Sequence, residues 1–228
     1  MQYPNITKAE FIDRPNRFIA HVTVDGHDET VHVKNTGRCK EFLIPGCTVY
    51  LTASDNPARK TRYDLVAVIK DNGLLINIDS QAPNKVVAEY LQNQSYDVII
   101  QEYTYGDSRI DFYMEKNRSQ GKVEKYLMEV KGCTLERSGI GYFPDAPTER
   151  GVKHIHELIR AKKEGYHAIL AFVIQMDGIS EVHPNIETHP EFGAAMKEAE
   201  KAGVEVWFFQ CHVELDSLRI INQESSDD

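Results

Sequence analysis

Two acids and an amine in the second half of the chain are spaced so that they could act together. Glu129 and Lys131 lie in the mostly apolar segment YLMEVKGCTL (126–135), and Asp111 lies in SRIDFYME (108–115). Strand side chains alternate between faces, so Glu129 and Lys131 project from the same face, roughly 7 Å apart. If the two segments pair across KNRSQGKVEK, Asp111 comes beside Glu129.

This set of residue types suits metal-assisted hydrolysis of a phosphodiester. Two close carboxylates repel unless a cation lies between them, and Mg²⁺ or Mn²⁺ binds through carboxylates while keeping some of its water. Such an ion polarises the phosphate, and Lys131 could orient the attacking water or balance phosphate charge. The alternative is a solvated strand face, where a Glu–Lys pair contributes little. The pattern alone leaves both interpretations open.

The elements that must position these residues belong to a globular chain of 228 residues with a net charge of −9. No apolar run is long enough to span a membrane, and the N-terminus lacks the apolar stretch of a signal peptide. We therefore expect a cytoplasmic protein. The four cysteines form no CxxC pair, which favours reduced thiols over a disulfide framework or a zinc site.

Residues 1–82 have the pattern of short strands separated by turns, and we predict that they form the first domain. The candidate strands are RFIAHVTVD, ETVHVK, CTVYLTA, RYDLVAVI and LLINID. Five short strands at this spacing suggest a small barrel, of which the oligonucleotide-binding (OB) type is one option. The count does not choose between barrel types.

The segment SQAPN at 80–84 breaks the strand pattern, and a second domain is predicted over residues 83–221. Its order is helix, three strands, helix, strand, helix, strand, which predicts a mixed α/β sheet with helices on its faces. We expect residues 222–228, an acidic tail, to be disordered.

The helix in TERGVKHIHELIRAKKEG is the most basic stretch of an acidic domain. Residues 1–82 hold ten basic and ten acidic residues, whereas residues 83–228 hold sixteen and twenty-five. Thr148 is a good N-cap for this helix. We predict that its cations track phosphates beside the cleft, and the alternative is a solvated helix face. The candidate contacts are Arg150, Lys153, His156, Arg160 and Lys163.

The first domain offers further candidate contacts to nucleic acid. In NPARKTRYD, the cations Arg59, Lys60 and Arg62 stand beside an aromatic residue, which suits a nucleic-acid strand laid over a barrel face. Arg38, in NTGRCKEF, is a similar candidate. An ordinary turn with solvated charges explains both segments equally well.

Several segments together resemble the sugar fermentation stimulation protein family of bacteria and archaea. The likeness covers essentially the whole chain, and EVKGCTL and FPDAPTERGVKHIHEL are its most specific segments; the others are PNRFIAHV, HVKNTGRCKEFLIPG and ARKTRYDLVAV. The resemblance implies an N-terminal OB-type barrel followed by a domain related to restriction endonucleases. It also implies DNA binding and a role in regulating sugar metabolism, especially that of maltose.

The endonuclease superfamily carries an Asp followed by Glu-x-Lys on adjacent strands, and these positions fall on Asp111, Glu129 and Lys131. By the same analogy, the backbone carbonyl of Val130 is a further metal ligand, and Glu89 matches an additional acid found in some relatives. A solvated helix face explains Glu89 at least as well. One departure is Ile110, where the superfamily signature has proline.

Three functions remain open from the sequence. The first is a metal-dependent nuclease that holds DNA or RNA, the second a DNA-binding protein that does not cut, and the third a module that binds a small molecule or a protein. The acid, acid and amine set favours the first over the second, and the basic helix argues against the third. The sequence leaves open strandedness, base preference and oligomeric state.

Overall fold

A closed five-stranded barrel forms from the first third of the chain. The computed structural model describes residues 1–54, 56 and 58–225, apart from the Gln120 side chain. The strands pair in the closed order β1-β2-β3-β5-β4-β1, with β3 and β5 parallel and the other neighbours antiparallel. They are β1 (Ile6–Asp13), β2 (Ile19–Val24), β3 (His27–Val33), β4 (Thr48–Ala53) and β5 (Tyr63–Ile69), and a short β6 (Leu75–Asn77) extends β5.

The predicted OB-type barrel is therefore confirmed, but one of its five strands differs from the prediction. LLINID supplies β6, which lies outside the closed ring, and the missing strand is β1. The strand in ITKAEFID is difficult to predict from the sequence, because Ala9 and Phe11 are its only buried residues. Its other side chains are polar or partly exposed, so the alternation is weak.

A buried carboxylate ties the barrel strands together where β3 and β5 meet. Asp64 on β5 accepts hydrogen bonds from Arg59 at 2.9 and 2.5 Å and bonds His32 on β3 at 2.9 Å. The Lys34 ammonium lies 3.1 Å from the same carboxylate. Burial alone would raise the pKa of Asp64, but Arg59, His32 and Lys34 outweigh burial and lower the pKa to about 2.

The rest of the chain builds a six-stranded mixed sheet with helices on both faces. The sheet order is β7-β8-β9-β12-β14-β15; β9, β12 and β14 are parallel, and the other neighbouring pairs are antiparallel. A small sheet of β10, β11 and β13 lies beside it. The elements are α1 (Ala82–Gln92), β7 (Val98–Tyr105), β8 (Ser108–Asn117), a 3₁₀ turn (Ser119–Gly121), β9 (Val123–Cys133), β10 (Leu135–Arg137), β11 (Ile140–Phe143), α2 (Glu149–Lys163), β12 (His167–Ile174), β13 (Val182–Pro184), α3 (Pro190–Lys201), β14 (Glu205–Val213) and β15 (Leu218–Ser225).

The helices begin where the sequence provides start signals. Thr148 caps α2, because its hydroxyl oxygen accepts a hydrogen bond from the backbone N–H of Gly151 at 3.0 Å. Helix α1 begins at Ala82, one residue before the predicted domain boundary, with Pro83 in its first turn. Helices α2 and α3 pack on one face of the sheet, and α1 packs on the other. None of the described helices is long and apolar enough to cross a membrane.

The expectation of a disordered tail from residue 222 is wrong for residues 222–225. These residues continue β15, which pairs antiparallel with β14 through Phe208↔Glu224 and its neighbours. Backbone pairing at the sheet edge requires no apolar side chains, so a polar sequence can still form this strand. Residues 226–228 lie outside the described part of the chain.

One of the two apolar core clusters among the described residues passes from the barrel into the sheet domain. It includes Ile76 beside the barrel and Met176 after β12, which are themselves bridged. Gln175, which is 1% exposed, donates to the Asn77 carbonyl and side-chain oxygens and to the Asp79 carbonyl at 2.9–3.1 Å. These buried bonds fix the barrel against the sheet domain.

Candidate active site and nucleic-acid interface

The hairpin of β8 and β9 brings Asp111 beside the segment that carries Glu129 and Lys131. Backbone pairing of the two strands ends at Phe112↔Met128. One residue further, the Asp111 carboxylate reaches across, and its Oδ2 accepts a hydrogen bond from the backbone N–H of Val130 at 2.7 Å. Its Oδ1 accepts from the Asn84 side chain on α1 at 2.8 Å.

The same geometry orients the Val130 carbonyl. In an extended strand the N–H and C=O of one residue point to the same side. Since the Val130 N–H points toward Asp111, its carbonyl oxygen also faces the β8 side, where the strands no longer pair.

Glu129 is buried, and its two carboxylate oxygens have different surroundings. The side chain is 2% exposed. Oε1 accepts from the Lys131 ammonium at 2.5 Å and hydrogen-bonds His154 Nδ1 on α2. Oε2 is buried and has no hydrogen-bond partner among the described residues.

His154 is held as a hydrogen-bond donor to Glu129. Its Nε2 lies 3.3 Å from Nε of Arg150, a guanidinium nitrogen that can only donate. His154 Nε2 therefore accepts, and Nδ1 carries the hydrogen that is donated to Glu129. His154 and His156 point apart, since His156 faces Glu198 at 3.6 Å.

The two acids have opposite pKa shifts. Burial and the neighbouring Glu129 carboxylate raise the pKa of Asp111 to about 6, although the Val130 N–H, Lys131 and Asn84 oppose this rise. For Glu129, burial raises the pKa, but the Lys131 charge and the His154 hydrogen bond outweigh burial and lower it. A cation near both carboxylates would favour the charged form of each.

The donor set fits a hard divalent cation. Within the described part of the chain, no three His, Cys, Asp or Glu side chains converge on a metal position. The available donors are two carboxylates and one backbone carbonyl, which suits Mg²⁺ because this ion usually binds one or two carboxylates and keeps several waters. A buried carboxylate oxygen without a partner is costly, and Glu129 Oε2 is such an atom.

A cleft of about 820 Å³ lies between the barrel and the sheet domain, and Val130 and Lys131 line it. Its barrel wall comes from the β1–β2 loop and from the segment after β3, and its other wall from β9 and the loop before α2. The lining carries five cations and one acid: Arg14, Arg17, Arg38, Lys40, Lys131 and Asp145.

The barrel lip of the cleft is fixed by hydrogen bonds. The Arg14 guanidinium donates to four backbone carbonyls at 2.5–3.0 Å, those of Arg17, Asn35, Gly37 and Arg38. The backbone N–H groups of Arg38 and Cys39 lie close enough to the Asp145 carboxylate, which comes from the loop before α2, to favour its charged form. A Cβ at Gly37 would collide with Asp145 Oδ2, so the two loops touch.

Comparison with known families decides where this chain belongs. The model described as "SfsA N-terminal OB domain" matches residues 12–78, and that described as "Sugar fermentation stimulation protein RE domain" matches residues 81–217. The chain belongs to the sugar fermentation stimulation protein family. The family resemblance predicted from the sequence is thus confirmed.

Relatives in the family match the chain over nearly its full length. Sugar fermentation stimulation protein homologs of Clostridium beijerinckii and Desulfitobacterium hafniense are each 51% identical; the matches cover 96% of this chain and 96% and 94% of theirs. A solved structure described as Pyrococcus furiosus SfsA in complex with Ca²⁺ has a TM-score of 0.84 and 29% identity, covering 98% of this chain and 96% of that one.

The structure separates the predicted nucleic-acid contacts into two groups. Of the nine candidates, Arg38 lines the cleft between the two family domains. The others lie outside the described cleft lining, and several are paired: Arg59 with Asp64, His156 with Glu198, and Arg160 with Glu157 and Glu164. Arg62 stacks on Tyr63, Arg150 contacts His154, and Lys60, Lys153 and Lys163 are exposed.

Glu89, the candidate additional acid, is placed away from the carboxylate pair. Its Oε2 lies 2.8 Å from the amino terminus of Met1. The α1 residue beside Asp111 is Asn84 instead. The sequence did not reveal the roles of Asn84, His154 or the cleft cations Arg14, Arg17 and Lys40. For His154, the signal in the sequence was its position one turn after Arg150, on the buried face of α2.

Proposed function

We propose that this protein is a metal-dependent phosphodiesterase that binds nucleic acid, DNA foremost, in the interdomain cleft. The observation that carries the proposal is the arrangement around Glu129: two donors hold Oε1, and the buried Oε2 has no partner. Asp111, on the neighbouring strand, supplies the second carboxylate.

The residues that would hold the ion are Asp111, Glu129 and the Val130 carbonyl. Bound there, Mg²⁺ or Mn²⁺ would act as a Lewis acid on the scissile phosphate. The Pyrococcus furiosus relative was solved in complex with Ca²⁺, a cation with the same preference for oxygen ligands. Lys131 would neutralise phosphate charge and orient the attacking water, because its ammonium lies on the cleft wall beside Glu129.

Nucleic acid suits the charge of the cleft better than a neutral ligand. Within the described residues, no carboxylate lies within 4.0 Å of the side-chain nitrogens of Arg17, Arg38 or Lys40. Three unpaired cations on one wall of an otherwise acidic protein favour a polyanion. Any effect on sugar metabolism, which the names of the relatives suggest, would then act through that nucleic acid.

Cleavage and binding are tested together with labelled DNA and RNA in Mg²⁺, Mn²⁺ or EDTA. We expect cleavage in the presence of metal, loss of cleavage in Asp111→Asn and Lys131→Ala, and largely retained binding in both. Binding should weaken steeply with added salt, because it releases counterions from phosphates. Unchanged cleavage in both variants would remove the catalytic assignment, and salt-independent binding would remove the nucleic-acid assignment.

The second candidate is a DNA-binding protein that does not cut, since the cleft cations act independently of the acids. It would be supported if purified protein bound nucleic acid but released no product with any divalent metal. The two candidates differ in one measurement, which makes the metal-dependent assay decisive.

A further inference from the structure

We propose that the cleft takes a single-stranded segment of nucleic acid and that a blunt duplex does not enter it. This inference rests on the proposed function and names the form of its substrate. It depends on three features of the cleft: its fixed width, its volume and the depth of the reacting groups.

The cleft cannot widen by a hinge between the two domains. Gln175 in the sheet domain is buried and bonded to Asn77 and Asp79, and the Lys70 ammonium lies 2.5 Å from Glu136 across the same boundary. The shared apolar core crosses there too. Opening the cleft would break these contacts together, so its walls are preorganised.

The lips are as fixed as the walls. Arg14 bonds four carbonyls of the barrel lip, and the Asp145 carboxylate from the opposite side lies close to the N–H groups of Arg38 and Cys39. With Gly37 against Asp145, no side chain can be added between the lips. A ligand must therefore fit the space that the folded protein already has.

That space suits a short segment of a nucleic-acid strand. A cleft of about 820 Å³ lies within the usual size range of small-molecule sites, roughly 300–1,000 Å³. A duplex is a stiff rod with its bases paired inside, so it can offer only its outer edge to such a cleft. A single strand can turn its backbone and bases inward.

The groups proposed to react lie too deep in the cleft for a rigid duplex to reach them. The Glu129 side chain is 2% exposed and that of Lys131 is 14% exposed. The unpaired cations Arg17 and Arg38 stand at the exposed barrel lip. A flexible strand can contact these cations and still place a phosphate at Lys131.

The test measures binding apart from cleavage, with the full-length protein in EDTA. Fluorescence anisotropy compares a labelled single strand, a blunt duplex of the same sequence and the duplex with a single-stranded overhang. We expect the single strand to bind at least tenfold more tightly than the blunt duplex, and the overhang to restore most of that affinity. Arg17→Glu and Arg38→Glu should each weaken single-strand binding at least fivefold, whereas Lys8→Glu, the same charge change on the exposed face of β1, should not.

Each contrary outcome points to a different error. Duplex binding that equals or exceeds single-strand binding overturns the inference and leaves the nucleic-acid function standing. Tight single-strand binding that ignores both Arg variants overturns the assignment to this cleft. Binding of neither form overturns the proposed function itself.

Discussion

Glu129 is the residue on which the candidate site is centred, and its neighbours determine what it can do. Lys131 and His154 both engage Oε1, so the carboxylate is held in one orientation with Oε2 left over. Residues that hold a metal-binding carboxylate through its other oxygen commonly set metal affinity. His154 is thus a positioning residue for Glu129.

We expect His154→Leu to weaken binding of Mn²⁺ or Ca²⁺ by about 10–100-fold, the usual effect of losing such a partner. His154→Asn keeps a donor near the position of Nδ1, so it should retain most of the affinity. Calorimetric titration of the free protein with each ion measures both. Urea unfolding of the variants provides the control, since a leucine variant that is folded and binds the ion like the wild type contradicts the assignment.

Sequence could reveal part of this site and not the rest. Asp111, Glu129 and Lys131 could be predicted because strand alternation and a short hairpin determine their proximity. Three of the cleft cations, Arg14, Arg17 and Lys40, could not be predicted, because their loops come opposite β9 only in the folded structure. The sequence also cannot show that Arg59 is neutralised by Asp64, which removes Arg59 as a free phosphate contact.

At the scale of elements, the contact between the segment after β3 and the loop before α2 shapes the cleft mouth. Gly37 has no room for a side chain because Asp145 occupies that space. The Asp145 carboxylate in turn lies close to the backbone N–H groups of Arg38 and Cys39. A substitution at Gly37 or at Asp145 should therefore alter the packing of the other residue.

We expect Gly37→Ala to destabilise the fold by about 1–3 kcal/mol, as other overpacking substitutions do. In Gly37→Ala/Asp145→Ala, which removes the two colliding Asp145 atoms and leaves Asn35 Oδ1 at 2.8 Å from the added Cβ, the two effects should be less than additive. Urea unfolding of both single variants and the double variant measures this coupling. If the two changes in unfolding free energy add strictly, the two loops are not in steric contact.

The contacts of Asp64 with Arg59, His32 and Lys34 predict that acid lowers the stability of the barrel strands. The pKa of Asp64 is lowered to about 2 in the fold, so its stabilisation is complete above the unfolded pKa and is lost as pH falls toward the folded pKa. The penalty of Asp64→Asn should therefore shrink by about 1 kcal/mol between pH 6 and pH 3. Urea unfolding at the two pH values measures it.

Arg59→Gln is the companion variant, since Arg59 is the strongest of the groups that lower this pKa. In its background, the folded pKa of Asp64 should lie higher, so the acid-dependent loss of stability should be smaller and should be complete at a higher pH. An Asp64→Asn penalty that is equal at pH 6 and pH 3 would show that the network does not lower the pKa.

For the whole molecule, the two predicted domains share one core. The order of most elements was readable from turn signals and periodicity, since these are local properties of the sequence. The strands β1, β10, β11, β13 and β15 were not predicted. The way the domains dock was not, because Gln175 and Asn77 are 98 residues apart and carry no pattern that pairs them. Docking of this kind should make unfolding of the two parts cooperative.

We expect a single unfolding transition for the full chain. The fluorescence of Trp207 reports on the sheet domain, and amide hydrogen exchange of β4 and β5 reports on the barrel; the two should give the same midpoint. Gln175→Leu, which leaves buried carbonyls unpaired, should lower the free energy of unfolding by about 1–3 kcal/mol and so lower both midpoints together. Gln94→Leu, at an exposed position, should leave both unchanged. Separate midpoints would contradict the shared core.

The continuity of that core also bears on how the gene can be rearranged. Cutting the chain near residue 80 would expose an apolar surface on each piece. Val68 and Ile76, before the cut, pack in the same cluster as Leu170 and Met176, after it. Neither piece would serve as a portable module. Splitting the gene at this point would yield fragments that aggregate, so the coding regions of the two domains must be inherited and recombined as a unit.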